Sequence, residues 1–131
     1  YTRLRYHFVT ATRGRKPWLT ERVQAVARDV MAEKAEDLGG EVLVAGGIVD
    51  HEHLVARVLA SMAPSEFIGK LKSESSRRIR KVFPTLRDFA WQKGYGGFTL
   101  WPERMEAIEE YVRNQESHHR QGTTREKLER L

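Results

Sequence analysis

Two histidines separated by one residue are the first candidates for chemistry in this sequence. His51 and His53 stand in the segment Asp50-His51-Glu52-His53. Side chains alternate between the two faces of a β-strand, so both imidazoles would project from one face, with Cα atoms ~6.6 Å apart. Two imidazoles at that spacing can bind one divalent metal ion. The same spacing also suits two polar histidines on an exposed strand, so the pattern alone leaves both interpretations open.

A tyrosine and a glutamine form the second candidate pair. Tyr111 and Gln115 are four residues apart in a stretch with helical periodicity, so they would lie one turn apart on one helix face. A phenol beside an amide oxygen could place a nucleophile next to a metal ligand. An amphipathic tyrosine at the edge of the core, beside a solvated glutamine, would give the same spacing.

A run of basic residues indicates a nucleic-acid partner. The predicted second helix carries Lys70, Lys72, Arg77, Arg78, Arg80 and Lys81, with Glu74 as the single acid among them. A solvated helix face normally mixes signs, so this run favours contact with a phosphate backbone. Ser73, Ser75 and Ser76 could add hydroxyl donors to phosphate oxygens. Arg13, Arg15 and Lys16, in a predicted loop, would extend the basic surface.

The composition of the chain indicates its domain number and excludes several kinds of site. The chain has 131 residues, 40% hydrophobic and 31% charged, which predicts one globular domain with a real core. There are no cysteines, which excludes disulfides, a thiol nucleophile and a cysteine zinc site. The net charge of +5 fits either a polyanion partner or simple solubility. No apolar run approaches a membrane span and no signal peptide is apparent, so a cytoplasmic protein is expected.

The elements that must position the candidate residues follow from periodicity and from helix and turn signals. Strands are predicted over 3–12, 41–49, 51–59 and 95–100, and helices after Thr20, Pro64 and Pro102. Thr20 would cap the first helix, and Gly39-Gly40 would end it. The order β-α-β-β-α-β predicts a ferredoxin-like α/β sandwich of the α+β class, with an antiparallel sheet and an added C-terminal helix.

The domain boundary is expected near the end of that added helix. Residues 1–120 would form a single domain and residues 121–131 a polar tail, in which Thr123 and Glu126 fit the capping box of a last short helix.

Three fragments in this order resemble the small single-tyrosine HUH (histidine–hydrophobic–histidine) transposases of the insertion-sequence type, the IS200-like group. They are Val49-Asp50-His51-Glu52-His53-Leu54-Val55, Trp91-Gln92-Lys93-Gly94-Tyr95-Gly96-Gly97-Phe98, and Glu110-Tyr111-Val112-Arg113-Asn114-Gln115-Glu116-Ser117-His118-His119-Arg120. The resemblance extends from Tyr6-His7-Phe8-Val9 to about Arg120, which makes residues 1–120 a single transposase (HUH endonuclease) domain.

The resemblance implies roles for four residues. His51, His53 and Gln115 would bind Mg²⁺ or Mn²⁺, and Tyr111 would attack a DNA phosphate. Such transposases cut and rejoin single-stranded DNA at hairpin-flanked ends through a 5′-phosphotyrosine intermediate. They act as homodimers, in which the tyrosine helix of one subunit can complete the site of the other. A bacterial or archaeal, nucleoid-associated protein is expected.

One residue departs from that family pattern. Glu52 stands between the two histidines, where a bulky hydrophobic residue is usual. On a strand its carboxylate would point to the opposite face, where burial is costly unless an arginine or lysine pairs with it. The departure leaves an alternative to the enzyme: a catalytically inactive or domesticated transposase that acts as a nucleic-acid-binding module.

Overall fold

The computed structural model describes residues 3–94 and the backbone of residues 98–99. It contains strands β1 (Arg3–Ala11), β2 (Glu41–Ile48), β3 (His51–Leu59) and β4 (Phe98–Thr99), and helices α1 (Glu21–Asp37) and α2 (Pro64–Val82). Two short 3-10 helices span Arg13–Arg15 and Pro84–Leu86. The sheet is antiparallel, with the strand order β2-β3-β1-β4.

This architecture confirms the predicted α+β class and ferredoxin-like strand order. The predicted strand over 95–100 is represented by its two described residues, Phe98 and Thr99. The predicted third helix and the polar tail over 121–131 lie outside the described residues, so the domain boundary stays a prediction. Neither α1 nor α2 is long and apolar enough to cross a membrane.

Helices α1 and α2 cover one face of the sheet and form the core with it. Alternating side chains of the two central strands point into this layer. Its buried members include Tyr6 and Phe8 of β1, Leu54, Ala56 and Val58 of β3, Val23, Ala27 and Met31 of α1, and Phe67, Leu71 and Ile79 of α2. The remaining side chains of β1 and β3 therefore project from the other face, which carries the candidate histidines.

The ends of α1 follow from the residues predicted to set them. The Thr20 hydroxyl accepts a hydrogen bond from the Val23 N–H at 3.4 Å, as an N-cap does. Gly39 has φ +77°, a left-handed conformation that glycine adopts without strain. At Gly40 an added Cβ would collide with the Arg57 carbonyl oxygen. The two glycines thus let the chain leave the helix and enter β2 directly against β3.

The register of β1 against β3 places the candidate residues. Ala11 lies opposite His51, Val9 opposite His53 and His7 opposite Val55. These odd-numbered positions all face away from the helices. The sheet therefore presents His7, His51 and His53 side by side on one face.

Candidate metal centre and basic surface

The two histidines of the motif converge on the sheet face opposite the helices. Both side chains are fully buried. Their ring centroids are 5.1 Å apart and their planes are inclined by 80°. This placement agrees with the predicted common face, because two residues of one strand separated by a single residue project the same way. Imidazoles so arranged are suitable ligands for one divalent ion.

Each of these rings has a defined partner at Nδ1. His51 donates its Nδ1–H to the Asp50 Oδ1 at 2.9 Å. The Nδ1 of His53 lies 3.0 Å from the Nε2 of His7. Metal-binding histidines usually engage one ring nitrogen with a neighbouring group and bind the ion through the other. An ion held by this pair would therefore be bound through both Nε2 atoms.

The structure adds His7, which the sequence analysis did not select. Its ring stacks on that of His53 with the centroids 5.2 Å apart and the planes inclined by 8°. Burial lowers the pKa of His7 from 6.5 to about 4, so this imidazole is neutral at physiological pH. The available signal was its position in a strand rich in aromatic and β-branched residues, but the sequence alone does not give the register that brings it to His53.

The two imidazoles of His51 and His53 would account for only part of a metal site. In residues 3–94 no set of three or more His, Asp or Glu side chains is arranged to hold one ion. Two neutral imidazoles fit Mn²⁺ and, less well, Mg²⁺, which prefers oxygen ligands. A metal site here would need further donors, and the predicted third ligand, Gln115, lies outside the described residues together with Tyr111.

Glu52 occupies the opposite face of β3, as its strand position predicts. The carboxylate is fully buried, yet it accepts hydrogen bonds from Arg28 of α1, from Nε at 3.2 Å and from a terminal nitrogen at 3.4 Å. Arg28 also donates to the Gln24 Oε1 at 2.6 Å. Burial raises the pKa of Glu52 to about 7, while the charge and hydrogen bonds of Arg28 lower it. The expected pairing with a basic residue is thus confirmed.

Gly47 provides the space for this buried carboxylate. It lies opposite Glu52 in the β2–β3 register. A Cβ on Gly47 would come within 2.8 Å of the Glu52 Oε2. Arg28, Gln24 and Gly47 together accommodate Glu52, so the departure from the HUH pattern fits its surroundings.

The predicted basic loop lies beside the candidate metal centre. Arg13, Arg15 and Lys16 are exposed. The Thr12 N–H donates to the Asp50 carbonyl at 3.0 Å, which ties the loop to the turn before His51. A terminal nitrogen of Arg15 lies 3.9 Å from the Asp50 Oδ1. The loop therefore brings positive charge next to the carboxylate that contacts His51.

Most cations of the basic run on α2 are exposed, but some of them also bond to acceptors within the protein. Lys70, Arg77, Arg78, Arg80 and Lys81 are exposed. Arg77 forms an ion pair with Glu74 at 2.7 Å, and Arg80 donates to the Phe89 carbonyl at 3.0 Å. Lys72 is half-buried and donates to the carbonyls of Gln92 and Gly94. Lys72 and Arg80 thus help to hold the segment after α2 against this helix.

The predicted phosphate-binding role is wrong for Ser75. Its hydroxyl is fully buried, donates to the Leu71 carbonyl at 2.8 Å and accepts from the Trp91 Nε1 at 2.9 Å. Ser76 is also buried, whereas Ser73 is exposed. The helical period turns the two buried serines toward the core, where they cannot reach DNA.

Comparison with known proteins identifies the family of this chain. The family model described as "Transposase IS200 like" matches residues 1–115. The ISDra2 transposase TnpA of Deinococcus radiodurans is 29% identical over 98 residues, which are 75% of this chain and 66% of the relative, just under two thirds of its length.

Two solved structures have similar folds. The crystal structure of a candidate transposase from Deinococcus radiodurans R1 matches with a TM-score of 0.71 and 26% identity over 88% of this chain and 92% of its own. A REP-associated tyrosine transposase bound to a REP hairpin matches with a TM-score of 0.68 and 13% identity, over 95% of this chain and 72% of its own, and supports the fold alone. Since the family model covers most of the sequence, the chain belongs to the IS200-like transposase family.

Proposed function

We propose that this protein is a metal-dependent transposase that cuts and rejoins single-stranded DNA through a 5′-phosphotyrosine intermediate. The observation that carries the proposal is the convergence of His51 and His53, each with its Nδ1 engaged by a neighbouring side chain. Membership of the transposase family adds the expected reaction class.

His51, His53 and Gln115 would hold Mg²⁺ or Mn²⁺. When bound, such an ion polarises the scissile phosphate and stabilises the negative charge that develops on it. Two imidazoles and one amide are neutral ligands, so the full charge of the cation would act on the substrate. The two nitrogen donors favour Mn²⁺ in vitro.

Tyr111 would act as the nucleophile. Its phenol, with a reference pKa of ~10, must lose its proton as the oxygen attacks phosphorus. The new bond joins the tyrosine oxygen to the 5′-phosphate, and the bond from phosphorus to the 3′-oxygen breaks. That 3′-oxygen takes up a proton and leaves as a hydroxyl. Because the phosphodiester energy is kept in the phosphotyrosine, rejoining needs no ATP.

The proposed partner is single-stranded DNA with hairpins at the ends of the mobile element. The expectation of hairpins comes from the family resemblance, and the REP-associated fold neighbour was itself solved bound to a REP hairpin. The exposed cations of α2 and of the loop at Arg13, Arg15 and Lys16 would contact phosphates. We also propose that the protein forms a homodimer in which the tyrosine helix of one subunit can complete the site of the other. It would act at the nucleoid, where chromosomal DNA is found.

The proposal predicts a metal-dependent covalent adduct. The protein is incubated with labelled single-stranded oligonucleotides that carry the hairpins flanking its own gene, and the products are separated on a denaturing gel. With Mn²⁺ we expect a labelled protein band and a fragment ending in a 3′-hydroxyl, and EDTA should remove both. Binding without any adduct in Mn²⁺ would instead support the inactive DNA-binding module.

The exposed surface of α2 predicts a change in the salt dependence of DNA binding. Replacing Arg78 and Lys81 by glutamine should make the negative slope of log K against log salt shallower by about 1.4, since each single-strand phosphate contact contributes about −0.7 to it. Fluorescence anisotropy at several salt concentrations measures the slope. The control, Arg22→Gln with Lys34→Gln, removes the same charge from α1, away from the sheet face that carries the histidines. Equal losses in both double variants would contradict a specific role for α2.

A further inference from the structure

A third histidine lies beside the candidate metal ligands without belonging to the motif. His7 comes from β1 and His53 from β3, 46 positions further along the chain. Their ring nitrogens are 3.0 Å apart and both side chains are buried, with exposed fractions of 3% and 0%. A buried hydrogen bond between two imidazoles is specific, because one ring must donate and the other must accept.

The direction of this hydrogen bond decides which nitrogen of His53 is available to a metal ion. If the His53 Nδ1–H donates to the His7 Nε2, the Nε2 of His53 keeps its lone pair. If the His7 Nε2–H donates instead, the neutral His53 carries its proton on Nε2 and cannot bind an ion through that atom. A metal held between His51 and His53 through Nε2 therefore requires His7 to accept.

We infer that His7 is a positioning residue for the metal centre, which fixes the ring plane and the tautomer of His53. The near-parallel stacking of the rings, with planes inclined by 8°, restricts rotation of His53 in the same way. Asp50 performs the corresponding role for His51 through its carboxylate. This inference rests on the proposed function, because it assigns His53 to a metal ion.

Three variants separate the hydrogen bond from packing. His7→Phe keeps a flat ring at the stacking position and removes the acceptor. His7→Gln places an amide oxygen where it can replace Nε2. Val9→Ala is the matched control, because Val9 is a buried neighbour on the same strand that lies opposite His53 and donates nothing from its side chain.

The first readout is the tautomer of His53 in the metal-free full chain. Long-range proton–nitrogen correlation spectra of ¹⁵N-histidine-labelled protein distinguish a protonated ring nitrogen from an unprotonated one. We expect the proton of His53 on Nδ1 in the wild type, in His7→Gln and in Val9→Ala. In His7→Phe we expect a mixture of tautomers. A proton on Nε2 of His53 in the wild type would overturn the inference.

The second readout is Mn²⁺ affinity, measured by titration with detection of free Mn²⁺ by electron paramagnetic resonance. His7→Phe should bind Mn²⁺ about 10–100-fold more weakly, the usual effect of losing a partner of a metal ligand. His7→Gln should restore most of the affinity, and Val9→Ala should match the wild type. Equal affinities in His7→Phe and the wild type would refute the role, and so would failure of His7→Gln to exceed His7→Phe. If His7→Phe does not fold, the wild-type tautomer and the His7→Gln affinity decide.

These readouts are independent of DNA cleavage. A weakened Mn²⁺ site in His7→Phe, combined with no adduct in the wild type, would support the inference and reject the transposase chemistry. Adduct formation by the wild type, combined with unchanged Mn²⁺ affinity in His7→Phe, would support the transposase chemistry and reject the inference about His7.

Discussion

Replacing Tyr111 by phenylalanine should abolish the covalent protein–DNA adduct while leaving hairpin binding nearly unchanged. The substitution removes a single oxygen atom, which the proposed mechanism uses as the nucleophile. Loss of a nucleophile typically costs about 10⁴-fold or more in rate, so the adduct should fall below detection. The aromatic ring remains, so hairpin binding should not depend on the lost hydroxyl. A denaturing gel for the adduct and anisotropy for binding give the two quantities.

The control for this variant is Tyr6→Phe. Tyr6 is a buried tyrosine of β1 that belongs to the core beneath the helices, so its hydroxyl has no part in the proposed chemistry. The adduct should form in Tyr6→Phe at close to the wild-type level. A Tyr111→Phe protein that still forms the adduct would exclude Tyr111 as the nucleophile.

Replacing Arg28 should destabilise the protein more than replacing any other partly exposed arginine or lysine of the described residues. Arg28→Met leaves the Glu52 carboxylate buried without its cation, so Glu52 must stay charged in apolar surroundings or take up a proton. Breaking a buried ion pair from one side typically costs 3–5 kcal/mol. Arg28 is 35% exposed, and solvent screening reduces the effect, so we expect a loss of about 2–3 kcal/mol. Urea unfolding at constant m-value measures it.

A second substitution should reverse most of that loss. Arg28→Met combined with Glu52→Leu replaces the pair by apolar groups and restores the family's usual residue type between the histidines. We expect the double variant to lie within about 1 kcal/mol of the wild type, because hydrophobic replacement of buried pairs is often neutral or stabilising. Arg77→Met, which breaks an exposed ion pair on α2, should leave the midpoint unchanged. Glu52→Leu alone completes the cycle, and a double variant whose loss equals the sum of the losses of Arg28→Met and Glu52→Leu would show that the two residues are not coupled.

Local signals were sufficient for most of the fold. The cap at Thr20, the helix end at Gly39 and the opposite faces of β3 taken by its histidines and by Glu52 each depend on neighbouring residues, and each appears as predicted. The strand order followed from the order of elements. Only two described residues form β4, within the predicted segment.

Long-range pairing limited what the sequence could reveal about the site. The alternation of a strand placed His51 and His53 on one face, but the register of β1 against β3 was needed to bring His7 to His53. A buried Glu52 implied a basic partner, yet the choice of Arg28 depends on how α1 packs against the sheet. These are contacts between residues far apart in the chain, and no local pattern encodes them.

The basic run shows a similar limit. Counting charges on α2 correctly identified a cationic surface, but it treated every cation as available to DNA. Lys72 and Arg80 instead donate to main-chain carbonyls of the segment that follows the helix. Which cations have internal acceptors depends on where that segment runs, and the sequence does not give its path.

The central claim is that His51 and His53 share one divalent cation beside Tyr111. A crystal of the full chain soaked in Mn²⁺ and measured at the manganese absorption edge tests it most directly. We predict one strong anomalous peak within bonding distance of both Nε2 atoms, with the Tyr111 hydroxyl of the same or the partner subunit facing it. Fully occupied Mn²⁺ bound elsewhere, with no peak between the two imidazoles, would contradict the account.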